Sequence, residues 1–415
     1  MKQKIVPIFL LIIILISFIP LTCFADDELE LDAEAAILID NTTGKVLYNK
    51  NAEEKKYPAS TTKIMTAILT IENCNLSDVV NVNYEAISTV PAGYTVAELQ
   101  IGEQLTVEQL LQVLLIHSAN DAANVLAMYI SGSIENFSDL MNKKALELGC
   151  INTHFTNPSG AHDDNHYTTA KDLATIMKYC MKNETFKSIC GSKSCIIPET
   201  NKYEQRVYTN TNELLILATR DSESNYYYPY AIAGKTGYTL QAKNCLVSCC
   251  NKDNFELTCV VLGCGLDYRG LSRKFLDTKS LFEYGYNTYT IKKIRDAGAI
   301  AEQIEIQNAT KETKDLDLVI ENDIIAVFKQ SEVNNEILPN IKLIDNLQAP
   351  ITENDFIGTI CYTVDGIDYK SNLKASHNVK KYSPLGLIIK IILLIIIIAI
   401  TIKIFYNNKN KEDLN

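Results

Sequence analysis

Apolar and polar positions follow three different textures along this chain. Near the start of the first texture, Ala36-Ile37-Leu38-Ile39, a turn at Asn41-Thr42-Thr43-Gly44 and Val46-Leu47-Tyr48 predict a β-hairpin between Ala35 and Lys50. Pro58 stops any helix before it. From Ser60 onward Ile64, Met65, Ala67, Ile68, Leu69 and Ile71 cover several faces, the mark of a helix buried inside a domain. A second helix opens on Thr106-Val107-Glu108-Gln109, a capping box, and runs apolar to Ser118. A third is expected between Ser138 as its cap and Gly149 as its stop. Around Lys235 the period changes to strands: Ala231-Ile232-Ala233, Leu246-Val247-Ser248, a turn at Asn251-Lys252-Asp253-Asn254, and 257–262. A helix over about 272–284 closes this part. Strands at both sequence ends with helices between them predict an α+β domain, an antiparallel sheet packed on a helical cluster.

After Lys292 short alternating runs such as Ile304-Glu305-Ile306 and Leu316-Asp317-Leu318-Val319-Ile320 alternate with polar turns, which predicts a small all-β domain. The third texture occupies the ends. Met1-Lys2-Gln3-Lys4, an apolar run and Cys23-Phe24-Ala25 ahead of acidic residues read as a secretory leader cut after Ala25. The run from Leu385 to Tyr406, broken only by Lys390 and Lys403, reads as a transmembrane helix. The expected organisation is therefore a leader at 1–25, a catalytic domain at 30–290, a β domain at 291–375, a linker at 376–384, a span at 385–406 and a cytoplasmic tail at 407–415. It places the catalytic domain outside a single-pass cell-membrane anchor.

The formal net charge of −11 comes without a basic stripe interleaved with aromatics, which excludes a nucleic-acid partner. Twelve cysteines are present; with Cys23 in the leader an odd number remains, so full pairing is impossible. Most lie in apolar runs and read as buried thiols. Cys190 and Cys195 are the first pair to check.

Three short stretches carry chemistry: Ser60-Thr61-Thr62-Lys63, Ser118-Ala119-Asn120 and Lys235-Thr236-Gly237. In this order they form the S-x-x-K, S-x-N and K-T-G set of penicillin-recognising serine acyl-transferases. An S-x-x-K on a helix sets the hydroxyl and the amine on one face, one turn apart. Ser60 at a helix N-terminus sits where unpaired N–H groups favour negative charge. Its hydroxyl is a poor nucleophile until a base takes the proton. Lys63 can do so only when neutral, which requires burial or a neighbouring cation such as Lys235. Ser118 can pass a proton and Asn120 can hold a substrate amide. Gly237 lets a ligand approach the strand backbone, while Lys235 and Thr236 can bind a carboxylate.

On these residues, together with Pro58-Ala59-Ser60-Thr61-Thr62-Lys63-Ile64-Met65-Thr66, Asn152-Thr153-His154-Phe155-Thr156-Asn157-Pro158, His166-Tyr167-Thr168-Thr169-Ala170-Lys171-Asp172-Leu173-Ala174 and Lys235-Thr236-Gly237-Tyr238-Thr239, the chain resembles the low-molecular-mass penicillin-binding proteins. These are serine-type D-alanyl-D-alanine carboxypeptidases of the S11 peptidase family. The resemblance covers nearly the whole exported part. It implies Ser60 as the acylated nucleophile, Lys63 as its base, Ser118 as proton relay and Asn120 as a substrate holder. It further implies Lys235 and Thr236 for the terminal D-Ala carboxylate, and the Ser60 and Tyr238 N–H groups as an oxyanion hole. Arg273 is the candidate for an arginine that assists carboxylate binding. Expected partners are peptidoglycan stem peptides ending in D-Ala-D-Ala and β-lactam antibiotics. No cofactor or metal is expected.

Three alternatives are weighed beside it. A class A β-lactamase needs a deacylating Glu after S-x-N, and none occurs between Glu147 and Glu184. A zinc peptidase would draw on His162-Asp163-Asp164-Asn165-His166, read instead as a turn with exposed histidines, with no H-E-x-x-H present. An anchored scaffold would not need the intact nucleophile, base and carboxylate-binding set. Endopeptidase or transpeptidase action on the same wall peptides stays open.

Overall fold

The computed structural model describes residues 29–217 and 226–412. The expected leader at 1–25 and the last three residues of the tail lie outside them. The described residues form two compact units, one of residues 29–39, 48–217, 226–252 and 257–284, the other of 40–47, 253–256 and 285–412.

The first unit is built on a five-stranded sheet. We label its strands β1 (Ala35–Asp40), β2 (Val46–Lys50), β3 (Ala231–Thr239), β4 (Lys243–Lys252) and β5 (Phe255–Cys264). Their spatial order is β2-β1-β5-β4-β3, so β3 ends the sheet. The expected hairpin at 35–50 forms, and the turn after β4 is tightened by Asp253 and Asn254, both at positive φ. β1, β4 and β5 are buried almost throughout, as strands covered on both faces must be.

Helices fill the space between the sheet's sequence ends. A 3₁₀ turn at Ala59–Thr62 leads into the α-helix Lys63–Asn73, whose first eight residues are all buried. The capping box at Thr106 is present: Gln109 N–H donates to Thr106 Oγ1, and Thr106 N–H donates to the Gln109 side chain. That helix, Val107–Gln112, widens into a π turn over Val113–His117 and ends on Ser118 in the left-handed region, φ 70°. The third helix differs from expectation. It spans Ile134–Glu147 and is capped by Ser133, while Ser138 lies inside it and bonds back to the Ile134 carbonyl at 2.9 Å. A serine serves equally as cap and as i−4 back-bonder, so residue type alone did not fix the start.

The second unit holds a five-stranded antiparallel sheet in the order 300–305, 315–320, 367–375, 356–364, 340–343. A separate pair joins Tyr289–Arg295 to Ile324–Lys329. Alternation puts Leu316, Leu318, Ile320, Ile360, Tyr362 and Leu373 into its core. The terminal helix Leu385–Glu412 forms, but the expected span is not supported: among the described residues no helix is long and apolar enough to cross a membrane.

Among the described residues the cysteines are free thiols, mostly buried. Cys190 Sγ faces the Gly234 carbonyl at 3.5 Å and makes no bridge to Cys195.

A buried ion pair ties the hairpin Ser194–Ile197/Arg206–Thr209 to the helical cluster. Glu103 is fully buried, pairs with Arg206, and accepts from Thr200 Oγ1 and the Gln100 N–H, both at 3.0 Å. Removing one partner strands a buried charge. Arg206→Met should therefore lower the unfolding free energy of the chain by about 3–5 kcal/mol in urea titration. A loss below about 1 kcal/mol, the range of an exposed pair, would contradict this placement.

Candidate active site

The site grows from the turn ahead of the buried helix. Ala59 takes a positive φ of 47°, unusual for a residue with a Cβ and worth about 1–3 kcal/mol of strain. The 3₁₀ geometry that follows eclipses residues three apart, which brings Lys63 over Ser60. Gly160, at φ +81°, packs so tightly on this turn that a Cβ there would lie 1.8 Å from the Ala59 carbonyl oxygen.

Lys63 Nζ lies 2.9 Å from Ser60 Oγ, 3.0 Å from Asn120 Oδ1 and 2.6 Å from the Ser159 carbonyl. Asn120 is oriented by its other end, because its Nδ2 donates to the Thr95 carbonyl at 2.7 Å. Asp121 pins the same loop by accepting the Ala97 and Leu99 N–H groups. The Ser159 carbonyl is held by a turn in which Asn157 Oδ1 accepts the Ser159, Gly160 and Ala161 N–H groups.

Lys63 is completely buried, and its pKa is driven well below the usual lysine value, first by desolvation and then by the charge of Lys235. A neutral amine offers two N–H donors and one lone pair. Two carbonyl acceptors and one hydroxyl donor are what surrounds it here. Lys235 is also buried, and burial lowers it to about 7, with Lys274 pushing the same way and Cys190 opposing. The Cys190 thiol is itself raised to about 11 by burial, so it is neutral near pH 7 and opposes little.

Ser60, Ser118, Asn120, Thr236, Gly237 and Tyr238 line one cavity of about 600 Å³. Lys235 sits behind it, donating to the Thr236 carbonyl at 3.0 Å. Eight of the nine sequence-predicted residues therefore converge on one place. Gly237 touches the nucleophile turn directly, since a Cβ on it would stand 2.9 Å from the Pro58 oxygen and 3.1 Å from Ser60 N.

Arg273 does not join them. It pairs with Asp277 at 3.2 Å and lines a separate cavity with Asp32 and Leu266. Its neighbour Lys274 lines the Ser60 cavity instead, largely buried, with burial lowering its pKa. Consecutive helical residues point about 100° apart, so one register step decides which cation enters. Thr211 also went unnoticed: it faces the cavity and accepts from Thr236 Oγ1 at 2.7 Å.

The histidines at 162–166 are not simply exposed turn residues. His166 is buried; its Nδ1 accepts from the Thr156 N–H at 3.1 Å, so its Nε2–H donates to Thr62 Oγ1 at 2.8 Å. Burial holds its pKa down at about 3, leaving it uncharged beside the nucleophile turn. Among the described residues no group of three or more His, Cys, Asp or Glu is placed to hold a metal ion.

The family profile described as D-alanyl-D-alanine carboxypeptidase (peptidase S11) matches residues 22–265. The profile described as the C-terminal domain of penicillin-binding protein 5 matches 289–381. The D-alanyl-D-alanine carboxypeptidase DacF of Bacillus subtilis is 32% identical over 380 residues, covering 89% of this chain and 92% of its own length. DacC of Escherichia coli is 30% identical over 366 residues, 85% and 86% of the two chains. The crystal structure of penicillin-binding protein 5 from Haemophilus influenzae superposes with a TM-score of 0.69 at 26% identity, covering 85% of this chain and 98% of that one.

The contact at Gly237 yields a prediction. Gly237→Ala should lower the unfolding free energy, by about 1–3 kcal/mol, as the crowded turn shifts, and should slow acylation by penicillin about tenfold to a hundredfold, roughly 1.4–2.7 kcal/mol of barrier. Stopped-flow acylation at the wild-type rate would show that β3 is not seated against Ser60 N.

Proposed function

The chain belongs to the S11 family of D-alanyl-D-alanine carboxypeptidases, penicillin-binding enzymes that act on peptidoglycan, and from this we infer how its residues divide the work. Ser60 Oγ attacks the carbonyl carbon of the bond between the last two D-Ala residues of a stem pentapeptide, while neutral Lys63 takes its proton. The tetrahedral oxyanion rests on the Ser60 and Tyr238 N–H groups. The C–N bond breaks, and the proton passes through Ser118 to the departing amine, which leaves as D-Ala. Water then cleaves the acyl-enzyme, restores Ser60 and frees the tetrapeptide.

The observation that carries this reading is the three-partner environment of Lys63 Nζ with Ser60 Oγ at 2.9 Å. Asn120 keeps the penultimate residue in place. β3, the last strand of its sheet, offers its free edge to an extended peptide. Lys235, Thr236, Thr211 and Lys274 form a cationic, hydroxyl-lined end that suits the terminal carboxylate. A β-lactam presents the same carboxylate and carbonyl and leaves a slow acyl-enzyme.

Placement completes the proposal. A leader at 1–25 exports the enzyme, whose catalytic domain at 30–290 and β domain at 291–375 stand on a linker at 376–384. The terminal helix at 385–406 attaches it to the cell membrane with its catalytic domain outside. What favours attachment is composition: from Ile388 to Ile404 large apolar side chains are exposed nearly all round.

Two outcomes are expected. Intact mass after penicillin treatment should show one adduct, mapped to the peptide containing Ser60, and none in Ser60→Ala; an adduct on folded Ser60→Ala would sink the assignment. The second-order acylation rate should fall toward acid as Lys63 takes up a proton. It should also fall above about pH 7 as Lys235 loses the charge that attracts the ligand carboxylate. A rate that stays flat from acid to neutral pH counts against Lys63 as the base.

A further inference from the structure

The residues just ahead of the nucleophile turn build a second cavity. Lys56 exchanges backbone hydrogen bonds with Thr168, at 2.8 and 2.9 Å, which brings Tyr167 against Lys55. The Lys55 ammonium lies 4.1 Å from the Tyr167 ring centroid. Together with Tyr57, Glu34 and Gln241 these residues line a space of about 410 Å³. Gln241 lines the Ser60 cavity as well, and Tyr57 meets His162 of that cavity edge-to-face at 4.8 Å. The two spaces are thus neighbours.

Charge within the second space is unevenly answered. Glu34 pairs with both Lys56, at 2.9 Å, and Lys243, at 2.7 Å. Asp164 faces His162 Nε2 at 3.5 Å. Among the described residues no carboxylate pairs with Lys55, whose only recorded partner is the Tyr167 ring. Of the charged groups that line the cavity, Glu34 is thus engaged by two lysines and Asp164 faces His162, while Lys55 is seated on an aromatic face without a paired carboxylate.

The direction of the substrate points the same way. With its terminal carboxylate at Thr236 and Lys274 and its scissile carbonyl at Tyr238 N–H, a peptide on β3 must continue past Thr239 and Leu240 toward Gln241. Lys55 precedes Ser60 by five residues, so the two are at most roughly 18 Å apart. Two or three extended residues cover about 7–11 Å, and the side chains span the rest.

We propose that this second cavity is a subsite for the acyl-side residues of the stem peptide, with Lys55 on Tyr167 receiving the free α-carboxylate of the γ-linked glutamyl residue. The proposal rests on the Ser60 reading above, and a graded set of substrates separates the two. Release of D-Ala is followed from a diacylated Lys-D-Ala-D-Ala tripeptide, from a pentapeptide with that carboxylate free, and from the same pentapeptide with it amidated. The full chain should favour the free carboxylate over the amide about tenfold in kcat/KM, through KM. Lys55→Gln should erase that preference, Lys55→Arg should retain it, and both should turn over the tripeptide and react with penicillin as the wild type does. Tripeptide turnover without any carboxylate preference, or a preference that survives Lys55→Gln, overturns the subsite alone. A wild-type chain that releases no D-Ala from the tripeptide overturns the Ser60 reading and this one with it.

Discussion

A lysine side chain without access to water is the constraint around which this active site is arranged. Left charged, the Lys63 ammonium would pay a large desolvation cost that carbonyl dipoles offset only in part. Its burial, with Lys235 adding a like charge nearby, shifts the balance to the neutral amine. The fold then has to satisfy two N–H groups and a lone pair, and it does so with Asn120, Ser159 and Ser60. A group that is merely buried would be a defect. One that is buried, satisfied and pointing at a hydroxyl is a base.

Each supporting element serves that arrangement from a different part of the chain. The buried helix supplies Lys63, the left-handed end of the π turn brings Ser118 and Asn120 to the cavity, and the Asn157 turn fixes the third carbonyl. β3 closes the other side, with Gly237 in contact with Ser60 N because no side chain separates them. Strain at Ala59 and Ser118 is tolerated because the surrounding packing leaves their backbones no alternative. The uncharged His166 belongs to this scaffold: it orients Thr62 without adding a second positive charge, beside that of Lys235, near Lys63.

What was legible in the sequence was local. The hairpin at 35–50, the capping box at Thr106 and the strands around Lys235 follow from turn chemistry and short-range alternation; seven of the site residues were found because three spaced motifs name them, and Tyr238 because the family resemblance implies it. What was illegible was tertiary. Ser133 and Ser138 look alike until the back-bond to Ile134 is seen. Arg273 and Lys274 differ by one step around a helix, and only the packing of that helix decides which faces the cavity. His166 sits in a run of turn residues, and its burial depends on a partner more than a hundred positions away. The role of Asn157 was equally hidden, since an Asn-Pro pair announces a turn but not the lysine its neighbour's carbonyl receives.

The protonation state of Lys63 is the most direct test of this account. It can be read from the side-chain nitrogen and ε-carbon shifts of isotopically labelled lysine in the folded chain, assigned with Lys63→Arg and followed across pH. The account predicts a neutral amine at pH 7 that gains its proton only on acidification, well below the range of the exposed lysines. An ammonium signal for Lys63 persisting at and above pH 7 would contradict it.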